Sequence, residues 1–440
     1  MAKSDFPGPD GLPLVGNTHQ FASDMPGFYE ETATHGRIAT AEVLGMGEIH
    51  VLSHPEDVKQ VLVKDRDRFQ RPGLITSQVA DLLGNGLVRN NGESWRRQRK
   101  LVQSAFRPDR CRAYVPLMAD NAERFAQSWE PGQRYDVHEE MTRLALRILV
   151  ETVFGTDVDY EGLRFREMIE RLYEPKNKQR VTMLVPKWVP IPMWRRYKSA
   201  IDHFDEIIPE LVAAERNADA DRTTLLSDLL EATDDDGDRM SDEQLRDELM
   251  TLFFAGTDTT AATLTYALYL LDDNPEAAER YYDEVDEVLD GRPATLADLP
   301  ELEYVEAVIS EAWRLYPPLP KLTLEASEPI EIGGYRIPEG GLVEAPQWVL
   351  HRDERFWDDP TEFRPERWLG DADRPEFAYF PFGGGERHCV GSPLARIESQ
   401  IVLATLANSR RFSFAADELS VSFSFVIHPE NEFDAVAERR

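Results

Sequence analysis

The segment Phe382–Pro393 places a cysteine, Cys389, in a glycine-rich loop directly before a predicted helix. Glycines on both sides of Cys389 let the backbone approach something flat and bulky. Ser392 is a good N-cap and Pro393 a good first helical residue, so Cys389 is expected just ahead of a helix N-terminus. The helix dipole and the exposed N–H groups at that end stabilise a thiolate and lower the thiol pKa.

Three alternatives for this loop remain open on these residues alone. A lone cysteine is usually an inert core residue. A glycine-rich loop before a helix can cradle phosphate, although the Gly-Lys-Ser/Thr of a P-loop is missing here. Cys389 could also be a nucleophile with His388 or His351 as its base, although adjacent residues such as His388 rarely point towards one another.

A second segment, Ala255–Thr260, lies inside the longest helical pattern of the chain, Ser241–Asp272. Gly256 in mid-helix costs about 1 kcal/mol relative to alanine. The carboxylate of Asp258 sits among leucines and phenylalanines, where a charge is expensive to bury without a task. A small residue that admits a ligand, followed by an acid and the hydroxyl of Thr259, is what proton delivery to a bound group requires.

Two charged motifs are weaker signals. Glu311 and Arg314 share a helix face and can pair, but the usual outcome is an exposed ion pair of small effect. Trp95 and Arg99 also share a helix face, within a basic cluster that is unusual in so acidic a chain. That cluster suggests an anionic ligand or partner. The arginine-rich and aromatic turn Phe363–Trp368 is uninformative by itself.

The composition is that of a strongly acidic globular protein. The chain has 440 residues, 42% of them hydrophobic and 30% charged, and a formal net charge of −32. Such a surface repels nucleic acid and anionic membrane faces, so neither is an expected partner. Abundant acids with far more arginine than lysine suit a cytosol of very high salt. A halophilic archaeal host is therefore expected, with an ordinary acidic cytosolic protein as the alternative.

Cysteine usage and hydropathy limit the cellular compartment in which the protein is expected. Cys111 and Cys389 cannot form a disulfide framework, so a reducing compartment is expected. The first residues lack the apolar region of a signal peptide. The most apolar stretch, Leu249–Leu271, is interrupted by Asp258 and several threonines, which favours a buried helix over a membrane span. The protein is expected to be cytoplasmic, with no stable membrane insertion.

The patterns along the chain predict a mainly α protein with small β-sheets, an α+β fold. Arg37–Val43 and Glu48–Leu52 read as a strand hairpin, and Trp95–Glu231 is mostly helical. Short strands and turns follow Pro318, and Ser420–Ile427 alternates like a half-buried strand. No GxGxxG follows a strand, so a nicotinamide-binding fold is not expected.

Taken together and in this order, these segments resemble the cytochrome P450 superfamily over nearly the whole chain. The family's haem-loop pattern FxxGxRxCxG is matched in full by Phe382, Gly385, Arg387, Cys389 and Gly391. The resemblance implies a single haem domain of soluble prokaryotic type over residues 1–440, without a fused reductase. In that fold a long central helix lies over the haem and the cysteine loop lies beneath it.

The resemblance implies roles for particular residues around a haem b cofactor. Cys389 would bind the iron as a thiolate. Haem-propionate contacts are implied for Trp95, Arg99 and Arg387. A buried ion network behind the haem loop is implied for Glu311, Arg314 and Arg367. Gly256 would leave room beside the iron. Asp258 and Thr259 would deliver protons during oxygen activation.

One departure from the family pattern concerns the propionates. Many relatives carry an arginine in the strand that follows the Pro-Pro pair, whereas Leu319–Leu324 offers only Lys321. One propionate contact is therefore in doubt, and His351 or Arg352 could supply it.

The implied reaction is insertion of one atom of O2 into an apolar substrate, with a fatty acid or an isoprenoid such as a carotenoid as the two guesses. Electrons would come from a separate ferredoxin with its reductase. Docking of the ferredoxin is expected at the basic group Arg96, Arg97, Lys100, Arg107 and Arg110. Substrate choice would fall to Gly73–Leu87, Tyr173–Arg196, Leu319–Thr323 and Phe423–Val426. The rival classes are a haem-thiolate isomerase, dehydratase or haem-based sensor, and a non-haem cysteine hydrolase.

Overall fold

The computed structural model describes residues 6–73, 79–156, 162–177, 187, 189, 191–218, 223–370, 374–415, 419–423, 425–430 and 433–440. These residues are mainly helical and carry small sheets, which confirms the predicted fold class. Of the segments proposed for substrate choice, residues 74–78 of Gly73–Leu87 and residues 178–186, 188 and 190 of Tyr173–Arg196 lie outside the described part of the chain.

The helices α1 to α16 are, in order, Thr18–Ser23, Met25–Thr34, Pro55–Lys59, Ala80–Leu83, Gly92–Ala105, Pro108–Ala113, Val115–Ser128, Val137–Phe154, Phe165–Asn177, Pro192–Arg216, Leu225–Glu231, Asp242–Asp273, Pro275–Leu289, Glu303–Leu315, Gln347–Leu350 and Ser392–Ala407. The strands β1 to β12 are Ile38–Val43, Gly47–Leu52, Phe69–Gln70, Arg134–Asp136, Leu322–Ala326, Ile330–Ile332, Tyr335–Ile337, Leu342–Ala345, Arg410–Phe414, Val421–Phe423, Ile427–Pro429 and Asp434–Arg439.

The chain divides into two compact units. The first unit comprises Met1–Ala80 and Ser310–Cys389, and the second comprises Asp81–Ile309 and Val390–Arg440. The expectation of a single haem domain over residues 1–440 stays a prediction.

The first unit is built on a five-stranded sheet with the order β1-β2-β8-β5-β3. Strands β1 and β2 form the predicted hairpin, whose turn needs glycine because Gly45 has a φ of 87°. Strand β2 pairs parallel to β8, and β8 pairs antiparallel to β5. Residues Ile38, Leu52 and Val343 are fully buried, so the sheet carries the apolar core of this unit.

The second unit is organised around α12, the 32-residue helix that the sequence predicts. The side chain of Ser241 accepts a hydrogen bond from the N–H of Gln244 and caps the helix as expected. Helix α12 packs most extensively against α8, and the ring of Phe253 stacks on Phe154 and Phe165 at centroid distances of 5.8 and 5.6 Å. Because apolar residues surround this helix on most sides, it is buried in its unit.

A hairpin replaces the single strand expected over Ser420–Ile427. Strands β10 and β11 are antiparallel, and Phe423 pairs with Ile427. The alternation of serine with valine and phenylalanine continues past the end of β10 to Phe425, and no glycine, proline or asparagine stands between the two strands. The pattern therefore predicted extended backbone but not the point where the chain reverses.

Among the described residues we find no helix with the length and apolarity needed to cross a lipid bilayer.

Candidate active site

The cysteine loop lies in the first unit and is held tightly by its own backbone. The N–H of Cys389 donates to the carbonyl of Phe382 at 2.9 Å, and the N–H of His388 donates to Gly385 at 3.1 Å. Gly385 has a φ of 62°, and a Cβ added there would lie 2.2 Å from the carbonyl oxygen of Leu62. Only glycine fits this position, because any side chain would collide with the backbone.

The structure separates the two cysteines by environment. The side chain of Cys389 is exposed, whereas Cys111 is buried in α6. Burial raises the pKa of the Cys111 thiol to about 11. A thiolate ligand must be accessible and readily deprotonated, so Cys111 fits the inert role and Cys389 fits the ligand role.

The helix after the loop starts one residue earlier than predicted. Gly391 is the N-cap of α16, Ser392 is the first helical residue, and no side chain caps this end. Proline remains acceptable at the second position because the first-turn N–H groups have no intrahelical acceptor. Cys389 still precedes the helix by three residues in sequence.

Glu311 is the shared acceptor of a buried ion network in the first unit. Its Oε1 accepts from Arg314 Nη2 and Arg367 Nε, both at 2.8 Å, and from the N–H of Arg364 at 3.0 Å. Its Oε2 accepts from Arg314 Nε and from the indole N–H of Trp368, both at 2.9 Å. Glu311 and Arg314 are 0% exposed, so the exposed-pair interpretation of this motif is wrong.

Arg314 extends the network to the backbone of the segment that follows β8. Its Nη1 donates to the carbonyl oxygens of His351 at 2.9 Å and Pro360 at 2.5 Å, and its Nη2 donates to Glu362 at 2.9 Å. The guanidinium also lies 5.0 Å from the ring centroid of Trp357. One helix side chain therefore fixes three separate points of a segment that otherwise consists of turns.

The acid and the hydroxyl predicted to move protons lie on α12 in the second unit. The Thr259 hydroxyl donates to the carbonyl of Ala255 at 2.7 Å. Asp258 is 2% exposed, and its Oδ2 lies 3.7 Å from Nε2 of His428. A Cβ added at Gly256 would lie 3.3 Å from Leu149 Cδ2, so even alanine would crowd this position.

The other predicted cofactor contacts fall on both units. Trp95 is buried and Arg99 is half-buried on α5, one helical turn apart on one face. Gly391 also belongs to the second unit, whereas Phe382 and Arg387 belong to the first.

Carboxylates of the same unit pair with the basic group on α5 and α6 at which ferredoxin docking is expected, and the docking itself stays a prediction. The acidic partners lie both nearby and far along the chain, which is why the sequence concealed them. The ion pairs are Arg96–Glu93, Arg97–Asp234, Lys100–Asp235, Arg107–Asp109 and Arg110–Asp228.

The side chains considered for the missing propionate arginine have structural partners in the first unit. Lys321 Nζ lies 2.5 Å from Oε1 of Glu344, which is fully buried. His351 Nε2 accepts from the N–H of Phe380 at 3.0 Å, and burial lowers its pKa to about 3, so this ring is neutral. Arg352 lies 3.4 Å from a ring centroid of Trp348.

Sequence reasoning missed two histidines of the second unit, His138 and His428. The Nδ1 atom of His428 lies 3.1 Å from Nε2 of His138. No local motif marks either residue, because their contacts join α8 to β11.

Comparison with known proteins identifies the fold and its cofactor. The Cytochrome P450 family model matches residues 6–430. The chain belongs to the cytochrome P450 family. Its P450 fold also matches the solved structure of the cytochrome P450DA heme domain, with a TM-score of 0.88, 26% identity and 99% and 98% coverage of the two chains. The protein is a P450 oxidoreductase with haem b as its cofactor.

The curated relatives include oxygenases from Streptomyces. Cyclooctat-9-en-7-ol 5-monooxygenase of Streptomyces melanosporofaciens is 34% identical and covers 92% of this chain and 88% of its own. Pentalenene oxygenase of Streptomyces avermitilis is 32% identical and covers 96% and 94%. A halophilic archaeal origin stays a prediction.

The residues of the cysteine loop fit a haem-thiolate cofactor. The accessible thiol of Cys389 supplies the donor atom, and the backbone around Gly385 leaves no space for a side chain. The second cysteine of the chain is buried and cannot compete.

Removing the shared acceptor of the ion network is expected to abolish haem binding. Glu311→Ala leaves Arg314 buried without its carboxylate, and Arg314→Ala leaves the carboxylate without its main donor. Breaking a buried pair in this way costs about 3–5 kcal/mol. The free energy of unfolding should fall by that order and the purified protein should lack haem, as measured by denaturant unfolding and by the haem-to-protein absorbance ratio.

Arg166→Ala is the matched control, because Arg166 pairs with the exposed side chains of Glu139 and Glu170. This variant should retain haem and change stability by less than about 1 kcal/mol. Normal haem content in both Glu311→Ala and Arg314→Ala would contradict the proposed role of the network.

Proposed function

We infer that the protein is a haem-thiolate monooxygenase that hydroxylates an isoprenoid. The observation that carries the substrate class is the similarity, over at least 92% of the chain, to two oxygenases named for cyclic isoprenoids. The apolar character of the segments proposed for substrate choice supports the same class.

Cys389 would hold the haem iron in this function. Bound haem supplies oxygen activation, which a thiolate ligand favours by donating electron density. Trp95, Arg99 and Arg387 would bind the haem propionates. The forked guanidinium groups of the two arginines match the geometry of a carboxylate. The network around Glu311 would keep the segment that leads into the loop in place.

Asp258 and Thr259 would handle protons. Monooxygenation converts the substrate RH, O2, two electrons and two protons into ROH and H2O, so two protons must reach the reaction for each product. The Thr259 hydroxyl already donates to Ala255, and its oxygen can accept a proton from a neighbouring donor. Asp258 is the adjacent group that can release and recover one. The isomerase, dehydratase and sensor alternatives need no such pair.

Electrons would come from a ferredoxin and its reductase. Because the basic group on α5 and α6 is balanced by carboxylates, docking there would depend on alternating charges rather than on a positive field. A cytoplasmic location fits these partners and stays a prediction.

The substrate class is tested by titrating the purified protein with linear and cyclic isoprenoid hydrocarbons and with fatty acids of equal carbon number. Isoprenoids should shift the Soret absorption at a lower concentration than the fatty acids do. Turnover with NADPH, a surrogate ferredoxin system and ¹⁸O2 should then place one ¹⁸O atom in the product. Tighter binding and turnover of fatty acids would contradict the isoprenoid assignment, and products without ¹⁸O would contradict monooxygenation.

Thr259→Ala is expected to uncouple electron use from product formation. Loss of the hydroxyl interrupts proton delivery, so the product formed per NADPH should fall roughly tenfold while hydrogen peroxide rises. Thr32→Ala is the matched control, because the buried Thr32 hydroxyl makes the same type of bond, to the carbonyl of Phe28 at 2.7 Å. Equal coupling in both variants would count against the proton role.

A further inference from the structure

Two partly exposed histidines of the second unit form a chain of contacts with the buried carboxylate of Asp258. His428 Nε2 faces Asp258 Oδ2 at 3.7 Å, and His428 Nδ1 lies 3.1 Å from His138 Nε2. His138 Nδ1 lies 3.3 Å from the Thr265 hydroxyl. The side chains of Asp258 and His428 are 3% and 14% exposed, and His138 is also partly exposed. The contacts therefore run from a buried carboxylate through two partly exposed rings to a buried hydroxyl.

Two packing interactions hold this chain of contacts in place. Phe425, in the turn of the β10–β11 hairpin, lies 5.1 Å from the ring of Phe254 on α12. The rings of His138 and His428 meet edge to face at a centroid distance of 5.3 Å. The hairpin is thus fixed against the helix that carries Asp258.

The donor and acceptor roles in this chain of contacts can be assigned by starting from Thr265. The Thr265 hydroxyl donates to the carbonyl of Ala261 at 2.7 Å, so its oxygen accepts from His138 Nδ1–H. His138 Nε2 and His428 Nδ1 then share the 3.1 Å contact, which needs one proton. The arrangement that avoids directing a nitrogen lone pair at the Asp258 carboxylate has a proton on His428 Nε2 as well.

If the pair holds one proton more than two neutral imidazole rings, each of these contacts has a proton to share. With it, His138 Nδ1–H meets Thr265, one proton lies between the two rings, and His428 Nε2–H meets Asp258. The ring that holds the excess positive charge can then lie 3.7 Å from the carboxylate of Asp258. Moving the charge from one ring to the other requires only a proton shift along the 3.1 Å contact.

We propose that His138 and His428 form a proton-sharing pair that reprotonates Asp258 during turnover. In each step the proton on His428 Nε2 passes to Asp258 Oδ2, and the pair becomes neutral. Solvent then returns one proton to His428 Nε2, the nitrogen that lost it, when the partly exposed His428 ring turns away from Asp258. His428 faces Asp258 and His138 contacts His428. Both histidines therefore act through Asp258 and are positioning and relay residues rather than catalytic ones.

This inference rests on the proton role of Asp258 and Thr259 under the proposed function. A purely structural pair would explain the edge-to-face packing equally well. It would not explain why a basic ring is directed at a buried acid, nor why Thr265 is already committed as an acceptor. The two interpretations differ in what isotopic solvent and ring-nitrogen spectra report.

Activity measurements on His428→Gln and His138→Gln test the relay. Each variant should lower product formed per NADPH roughly tenfold, raise hydrogen peroxide and increase the rate ratio between H2O and D2O. Substrate affinity in the Soret titration should not change. The double variant should be no worse than His428→Gln, because both residues serve one path. His203→Gln is the control, since that ring contacts the carbonyl of Leu163 elsewhere in the unit.

Ring-nitrogen spectra test the protonation state without turnover. In ¹⁵N-histidine protein, held in its diamagnetic reduced and carbon-monoxide-bound form, His428 Nε2 should give the signal of a protonated nitrogen. In Asp258→Asn the charge is lost and the introduced amide can donate, so the same nitrogen should become unprotonated. His428→Gln assigns the signal by its disappearance.

The possible outcomes distinguish a failure of the histidine relay from a failure of the proposed function. Normal coupling in Thr259→Ala would overturn the proton role of the acid–alcohol pair. Uncoupling in Thr259→Ala with normal coupling and isotope ratio in His428→Gln would overturn the relay alone, as would ring-nitrogen signals that are the same in the wild type and Asp258→Asn. If His428→Gln does not retain haem, the coupling of His138→Gln and the spectra of Asp258→Asn decide between a relay and a purely structural pair.

Discussion

A charge taken out of water must meet partners of opposite charge, and this constraint shapes the first unit around Glu311. Its carboxylate accepts from two guanidinium groups, one backbone N–H and one indole, with no exposure to solvent. Arg314 in turn binds three backbone carbonyls of the segment between His351 and Glu362. Turns that have no regular hydrogen-bond ladder of their own are thereby fixed, and the segment that leads to the cysteine loop begins from an ordered point.

The same constraint explains two other buried acids. Glu344 on β8 accepts from the hydroxyls of Tyr29 and Thr323 and pairs with Lys321, so a lysine in the strand after the Pro-Pro pair belongs to the sheet. Asp258 on α12 faces a histidine that can gain and lose a proton. A permanently charged partner suits a structural acid, whereas a titratable partner suits an acid that must change its protonation state. The difference in partner agrees with a structural role for Glu344 and with the proton role that we propose for Asp258.

Local patterns predicted the parts of the site whose chemistry is carried by neighbours in sequence. The glycines around Cys389 and the Asp258–Thr259 pair could be recognised because their function needs those residues within a few positions. Partners that tertiary packing brings together could not. Arg97 meets Asp234 across 137 positions of sequence, and Glu311 meets Trp368 across 57. Nothing near Arg97 indicates that its charge is balanced, and nothing near His428 indicates a carboxylate. The hairpin at β10–β11 was missed because its turn lacks the usual turn residues.

The central claim is that Cys389 is the thiolate ligand of the haem iron, and one spectrum tests it directly. The reduced, carbon-monoxide-bound protein should show the strongly red-shifted Soret band of thiolate ligation, and Cys111→Ser should retain that band because Cys111 is buried away from any ligand role. Cys389→Ser should lack the red-shifted band. A wild-type spectrum without the shift, or a shift that survives in Cys389→Ser, would contradict the assignment.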